Sequence, residues 1–351
     1  MRDDWKTFLS HAGAEIEDDK VKHFGNPSRE LRVVTTGFII SDLSHYGLIA
    51  IHGEDAQTFL ANQFTNDTNL VSPSLAQLNG YCTPKGRLLA IFCVFLRGDT
   101  YYLQLPRELV QPVIDRLRIF ILNAKVTPED ASDSLVCIGA SSPDLDDQLA
   151  KQNTISTPQE DYHCTSTDKL SIIRLPGAFP RCIIIGESND IKLVWNSLDV
   201  NAAPVGTNSW DLINIISGIP TITTATQDLF IPQMTNLDLI NGISFKKGCY
   251  PGQEIVARTH YRGKLKRRMA LFHTSAETAP SSGSSITLQE KESEDRKVGV
   301  VVTAQPSAEG GYLLLVVLEI AVTNSSSNLL DEHNNVIKLM ELPYDQETTR
   351  E

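Results

Sequence analysis

Long hydrophobic runs are absent from this 351-residue sequence. The longest apolar stretch, Leu313 to Val322, is interrupted by Glu319 and is far shorter than the roughly 20 residues that span a bilayer. The amino terminus is acidic and has no apolar segment, so we expect no signal peptide. These absences exclude a membrane-spanning class and predict a soluble protein.

Paired cysteines and the common catalytic motifs are also missing. The six cysteines show neither a CxxC pair nor zinc-finger spacing, which predicts free thiols in a reducing compartment, the cytoplasm. They stand at positions 82, 93, 137, 164, 182 and 249. The chain has no P-loop, GxGxxG, HExxH or GxSxG motif, so no common nucleotide, zinc or serine-hydrolase chemistry is indicated.

Basic residues are outnumbered by acidic ones, 31 to 43, which gives a net charge of −12. A surface of this charge repels polyphosphate over most of its area and argues against broad nucleic-acid binding. One basic run is the exception. It contains Arg262, Lys264, Lys266, Arg267 and Arg268. Such a run can meet phosphate, a polyglutamate tail or RNA, although a solvated domain edge is its commoner interpretation.

The pattern of apolar residues predicts an α+β fold in three parts. Residues 1–30 form an amino-terminal extension, and residues 31–240 form a body in which strand and helix patterns alternate. A polar stretch near 140–168 marks a potential break between two subdomains of that body. Residues 241–351 hold a motif loop followed by short strands and turns, the pattern of a small β-barrel.

The segment 230–268 carries the most distinctive residues. Tyr250-Pro251-Gly252-Gln253 predicts a type II turn, because proline suits its second position and glycine its third. Cys249 precedes this turn and is a candidate reactive thiol, since Lys246, Lys247 and Arg258 place positive charge nearby and favour the thiolate. The alternative is a small buried hydrophobic side chain, a common fate of free cysteine.

This segment resembles the signature of YgfZ-type folate-binding proteins, which are related to the glycine-cleavage T-protein. The match consists of Lys247, Gly248, Cys249, Tyr250, Gly252, Gln253 and Glu254, with Arg258 shortly after. The resemblance implies a T-protein-like α+β fold, a small carboxy-terminal β-barrel, and tetrahydrofolate or another folate bound in a channel. It also implies a role in maintaining iron–sulfur enzymes, including those that thiolate tRNA.

Carried over from the family, the folate contacts fall on Tyr46, where close relatives usually have tryptophan, and on Trp210. Without the resemblance, Tyr46 is interpreted equally well as a surface aromatic, and Trp210, which has apolar residues on both sides, is more commonly a core side chain. Relatives commonly have a glutamate for the pterin's amino edge where this chain has Ile216. Weak folate binding follows unless Asp211 or another group takes over, because an unpaired buried edge costs roughly 1–3 kcal/mol.

The sequence is compatible with three functions. The first is a folate-binding accessory protein for iron–sulfur cluster assembly or repair and, through it, for tRNA modification. The second is a tetrahydrofolate-dependent aminomethyl transferase, although no acidic residue lies between Tyr81 and Gly98, where the T-protein has its assisting aspartate. The third is an RNA-contacting tRNA-modification factor that uses the basic run.

Overall fold

The computed structural model describes residues 1–151, 157–289, 295–323 and 328–345. Within these ranges the helices are α1 Asp3–His11, α2 Pro27–Val33, α3 Ala56–Ala61, α4 Val110–Ile121, α5 Leu145–Lys151, α6 Ser188–Leu198, α7 Thr207–Ile216 and α8 Gln253–Tyr261. The first thirteen strands are β1 Glu15–Glu17, β2 Lys20–His23, β3 Ile39–Asp42, β4 Tyr46–His52, β5 Gln77–Cys82, β6 Leu88–Arg97, β7 Thr100–Pro106, β8 Thr127–Asp130, β9 Val136–Ser141, β10 Cys164–Ser166, β11 Leu170–Leu175, β12 Arg181–Gly186 and β13 Ala203–Val205. The last six are β14 Arg267–Thr274, β15 Ser285–Leu288, β16 Arg296–Pro306, β17 Tyr312–Glu319, β18 Leu329–Leu330 and β19 Val336–Met340. The mixture of helices and strands confirms the predicted α+β class.

The chain forms two compact units, and each is assembled from separate chain segments. The first comprises Met1–Ala61, Asp67–Leu78 and Phe92–Ile213, and the second comprises Asn62–Asn66, Asn79–Ile91 and Asn214–Glu351. Neither residue 30 nor residue 240, the expected domain boundaries, coincides with a boundary between these units. Contacts between strands distant in the chain, rather than chain order, determine the units.

A six-stranded sheet in the first unit is covered on both faces. Its strand order is β10-β11-β12-β9-β3-β13, antiparallel except for the pair β13 and β3. Alternate residues of β12 enter different core clusters: Ile184 joins one, and Ile183 and Ile185 join the other. Burial of both faces explains why these strands read as continuous apolar runs.

Residues 1–30 contribute to the core of the first unit. Trp5 and Leu9 on α1 are fully buried in the same cluster as Trp195 of α6. The Trp5 indole nitrogen donates a 2.8 Å hydrogen bond to Oδ1 of buried Asp42. The sequence shows the apolar face of α1 but not its partner, which lies about 190 residues away.

A second sheet has the strand order β5-β6-β7-β4-β8. The sequence run Leu88–Leu96 predicts the doubly covered strand β6, and the structure confirms it. Helix α4 follows β7 and buries Val110, Val113, Ile114 and Leu117, four of the five residues of the stripe that its sequence predicts. Ile121, the fifth, remains half-exposed.

The second unit contains a closed barrel with strand order β14-β17-β16-β15-β18-β19. This confirms the predicted carboxy-terminal barrel. Its interior is filled by apolar side chains such as Phe272, Val298, Leu314 and Val316, each fully buried. Among the described residues, no helix is long and apolar enough to cross a membrane.

Candidate functional site

The turn that carries the sequence signature has the predicted geometry. Gln253 N donates a 3.1 Å hydrogen bond to Tyr250 O, and Gly252 has φ 85° and ψ 0°. These are type II values, in which the third residue must adopt positive φ. Helix α8 starts immediately after this glycine, so the turn fixes where the loop ends and the helix begins.

A second glycine turn packs directly against the first. Gly86, at φ 68°, lies in a turn closed by a 2.9 Å hydrogen bond from its N to Thr83 O. A Cβ at Gly252 would lie 2.5 Å from Thr83 O and 2.6 Å from Gly86 Cα. Two backbones approach this closely only where side chains are absent. The Lys85-Gly86-Arg87 stretch therefore forms part of the structure around the signature.

Cys249 is the single exposed cysteine of the six. Burial raises the pKa of the Cys164 thiol to about 11 and that of Cys137 and Cys182 to about 12. The pKa values of Cys82 and Cys93 are also raised by burial. The structure thus rejects the interpretation of Cys249 as a buried hydrophobic side chain and leaves it the most accessible thiol.

Lys247, which the sequence predicts to favour the thiolate of Cys249, directs its amino group to backbone carbonyls instead. Its Nζ donates hydrogen bonds of 2.6 Å to Phe64 O and 3.0 Å to Asn66 O. It also lies 5.0 Å from the ring centroid of Tyr250, whose side chain is buried. Lys247 therefore holds the neighbouring chain segment in place.

The other signature side chains lie on or against α8. Glu254 and Arg258 are both exposed, four residues apart on the helix, whereas Gln253 is half-buried at its first position. The upstream residue Gln233 is 2 % exposed and donates a 2.7 Å hydrogen bond from Nε2 to Val256 O. Gly248 has no atom within 4 Å of the position that a Cβ would take.

The basic run divides into two groups with different environments. Arg268 makes two hydrogen bonds to the Asp238 carboxylate, of 3.2 and 3.0 Å, and their side chains are 11 % and 6 % exposed. Arg267 pairs with Glu319 at 3.2 Å. Arg262, Lys264 and Lys266 are exposed. Arg268 is the least available of the five for RNA, because its guanidinium pairs with a largely buried carboxylate, and RNA contact by this run stays a prediction.

In the first unit, Tyr46 contacts Asp211, the residue that follows Trp210 in the chain. The Tyr46 hydroxyl donates a 3.0 Å hydrogen bond to Asp211 Oδ1, and His45 Nε2 lies 3.1 Å from the same oxygen. The His45 side chain is 8 % exposed and that of Asp211 25 %. The buried His45 Nδ1 has no hydrogen-bond partner among the described residues. These three side chains form a polar cluster that is only partly shielded from solvent.

Trp210 faces the core of the same unit. It is 2 % exposed and belongs to the apolar cluster against which Tyr46 also packs. A Cβ at Gly139 would lie 2.4 Å from the Trp210 ring, so the indole rests on bare backbone of β9. Buried Arg181 lies 5.6 Å from its ring centroid, and burial lowers the pKa of this guanidinium to about 10. Trp210 is thus a core residue here, and a direct folate contact stays a prediction.

Sequence reasoning missed His45 and Arg181 as members of these environments. Neither belongs to a recognisable motif, and His45 meets Asp211 from 166 positions away. The cluster forms because the fold brings the start of β4 beside α7. The adjacency of His45 and Tyr46 in the sequence is the one signal that was present.

Structural comparison defines the fold class. The glycine cleavage system aminomethyltransferase T from Bartonella henselae superposes with a TM-score of 0.76 at 13% identity, over 97% of this chain and 96% of that one. At this identity the match shows the fold alone, which is a T-protein fold. No family model matches the chain.

Sequence comparison gives the family. The tRNA-modifying protein YgfZ of Colwellia psychrerythraea is 30% identical over 308 residues, covering 86% of this chain and 92% of that protein. The proteins of the same name from Shigella boydii and Escherichia coli are each 28% identical over 92% of this chain and 97% of their own. The chain belongs to the family of tRNA-modifying protein YgfZ.

Proposed function

We propose that this protein is a folate-binding accessory protein that supports iron–sulfur cluster assembly or repair and, through it, tRNA modification in the cytoplasm. The observation that carries the proposal is the exposure of Cys249 immediately before the paired glycine turns of the family signature. A thiol held at a rigid, side-chain-poor loop is accessible to a sulfur atom, a cluster or a one-carbon unit. Four of the other five cysteines are buried and Cys164 is half-buried, so Cys249 is the most accessible thiol.

The absence of a carboxylate argues against aminomethyl transfer. No aspartate or glutamate occurs from Tyr81 to Gly98, and the middle of this stretch is the turn at Thr83–Gly86. Transfer of an aminomethyl carbon needs a group that handles a proton and a developing positive charge. We therefore expect purified protein to give no folate-dependent glycine cleavage.

The polar cluster in the first unit supplies groups that suit a folate. The Asp211 side chain is one-quarter exposed. Its hydrogen bonds with His45 and Tyr46 both involve the oxygen Oδ1. A carboxylate accepts hydrogen bonds from the paired N–H groups of a pterin edge. Asp211 would therefore take the role that the family resemblance gives to position 216, which is isoleucine here. A bound tetrahydrofolate would supply its reduced pterin as a one-carbon carrier.

The test pairs folate titration with complementation. Asp211→Asn should weaken tetrahydrofolate binding by roughly ten- to a hundredfold, the value of a charge-assisted hydrogen bond. Asp147→Asn, at an exposed acid of the same unit, should bind like the wild type. Unchanged affinity of Asp211→Asn would remove this residue from the site, and no measurable wild-type binding would refute the folate proposal.

Complementation addresses the thiol. Cys249→Ser should restore little iron–sulfur enzyme activity in cells lacking the protein, whereas Cys164→Ser should restore it fully. Full activity from Cys249→Ser would show that the loop is architectural and that the functional centre lies elsewhere.

A further inference from the structure

Three aromatic rings cluster at the carboxy-terminal end of α8. Phe245 and His260 stack with ring centroids 3.7 Å apart and planes 12° apart, and His260 meets Tyr261 edge-on at 4.7 Å. Tyr261 is 65 % exposed, His260 is exposed and Phe245 is half-buried. We call Phe245, His260 and Tyr261 the α8 aromatic cluster.

An exposed aromatic group of this kind is not explained by folding. Burying apolar area stabilises a protein, and a tyrosine left 65 % exposed contributes little of that gain. The Phe245–His260 stack holds its rings nearly parallel and so fixes their orientation in advance. A pre-oriented ring loses little conformational entropy when a flat ligand stacks on the cluster.

Positive charge surrounds the same helix end. Arg258 lies one turn before the cluster on α8, and Arg262 and Lys264 follow directly after it. All three side chains are exposed, and none of them forms an ion pair within the part of the chain that the structure describes. Glu254, one turn before Arg258, is the acidic side chain on this face of the helix. In a chain of net charge −12, this is a local reversal of sign.

We propose that the α8 aromatic cluster, with Arg258, Arg262 and Lys264, binds single-stranded RNA. Unpaired bases stack on aromatic rings, and arginine and lysine neutralise the phosphates between them. A duplex would not fit this chemistry, because its bases are already stacked on each other. The proposal requires neither folate nor the thiol, so it can fail or succeed independently of the proposed function.

The α8 aromatic cluster and the exposed Cys249 lie near opposite ends of the same short helix. Helix α8 has nine residues and is therefore about 13 Å long. It begins four positions after Cys249 and ends at Tyr261. The cluster and the exposed thiol are thus connected by one short helix and the turn that precedes it. A protein that acts on tRNA modification gains from such proximity.

The experiment measures binding of a labelled single-stranded RNA of about 12 nucleotides, a length that spans such sites, to the full-length protein by fluorescence anisotropy. Tyr261→Ala should weaken binding roughly tenfold or more, and Tyr261→Phe, which keeps the π-face, should retain it. Arg262→Gln should reduce the slope of log affinity against log salt by about 0.7, the value for one phosphate contact. Lys338→Gln, at an exposed lysine of β19, is the control and should change neither quantity.

Three results would overturn the proposal. The first is no wild-type binding at low salt, which would leave the surface to a protein partner or to solvent. The second is Tyr261→Ala binding as tightly as the wild type. The third is equal affinity for a duplex of the same length, since a purely electrostatic surface does not distinguish the two. Because Tyr261 is largely exposed, its variants should melt at the wild-type temperature, and loss of binding would not reflect unfolding.

Discussion

The polar and aromatic cluster of the first unit and the signature turns of the second are built in opposite ways. Tyr46, His45 and Asp211 come from chain segments about 165 positions apart, and Trp210 beside them is almost fully buried. The signature places Cys249, Gly252 and α8 within one short stretch of chain. The first region therefore depends entirely on the packing of distant chain segments. The second takes its turn geometry from neighbouring residues, although the turn then packs against the distant Gly86 turn.

A position that the family resemblance marks as functional can therefore be either a buried core residue or an exposed residue in this protein. Trp210 occupies a position that the family resemblance assigns to ligand contact, yet its side chain packs in the core. Cys249 occupies a signature position and is exposed. Substitutions in the two regions should consequently affect stability and activity to different degrees.

The largest effect is expected at Trp210. Trp210→Ala removes a buried indole that rests on Gly139 and should lower the free energy of unfolding by roughly 3–5 kcal/mol, the cost of a large core cavity. Urea denaturation with circular dichroism measures it. A variant that unfolds like the wild type but loses folate affinity would reverse the comparison and make Trp210 a ligand platform.

The next largest effect is expected at the paired turns. Gly252→Ala adds a Cβ 2.5 Å from Thr83 O at a residue with φ 85°, so strain and overpacking together should cost roughly 2–4 kcal/mol. Gly248→Ala is the matched control from the same signature, because its Cβ would meet no atom within 4 Å. We expect that control to melt within a degree or two of the wild type. Equal stabilities of the two variants would contradict the packing of the turns.

A smaller effect is expected at Lys247. Lys247→Met removes the two hydrogen bonds from Nζ to the carbonyls of Phe64 and Asn66 and should cost roughly 2 kcal/mol. The neighbouring exposed residue gives the control, Lys246→Met, which should cost less than about 0.5 kcal/mol. If Lys247→Met were instead as stable as the wild type and only slowed alkylation of Cys249, the lysine would serve the thiol rather than the fold.

The smallest effect on stability is expected at Cys249 itself. Cys249→Ser changes an exposed side chain and should alter the free energy of unfolding by less than about 0.5 kcal/mol. Iodoacetamide at pH 8 should label one thiol of the native protein, because burial keeps the pKa of Cys164 near 11 and that of Cys137 and Cys182 near 12. These three groups ionise only as the pH rises towards those values, so labelling of more sites should begin above about pH 10. Mass spectrometry of the labelled peptides identifies the site, and early labelling of Cys164 would refute the assignment.

Local sequence by itself determined the elements whose geometry depends on adjacent residues. Proline followed by glycine at Pro251 and Gly252 specified the type II turn, because only these residues suit its backbone angles. Apolar periodicity specified β6, most of the buried face of α4 and the barrel strands, since a side chain's direction alternates with its position along the element. The signature also located the one exposed cysteine.

Tertiary structure alone decided which charged and aromatic side chains are buried. The basic run gave no sign that Arg268 pairs with Asp238 while Arg262 stays exposed, and nothing near Trp5 indicated that it would donate to Asp42. Burial and ion pairing depend on partners that the chain brings together from distant positions. Burying a charged or polar side chain costs desolvation free energy, which a specific partner must offset. Only the three-dimensional structure determines whether that partner is present.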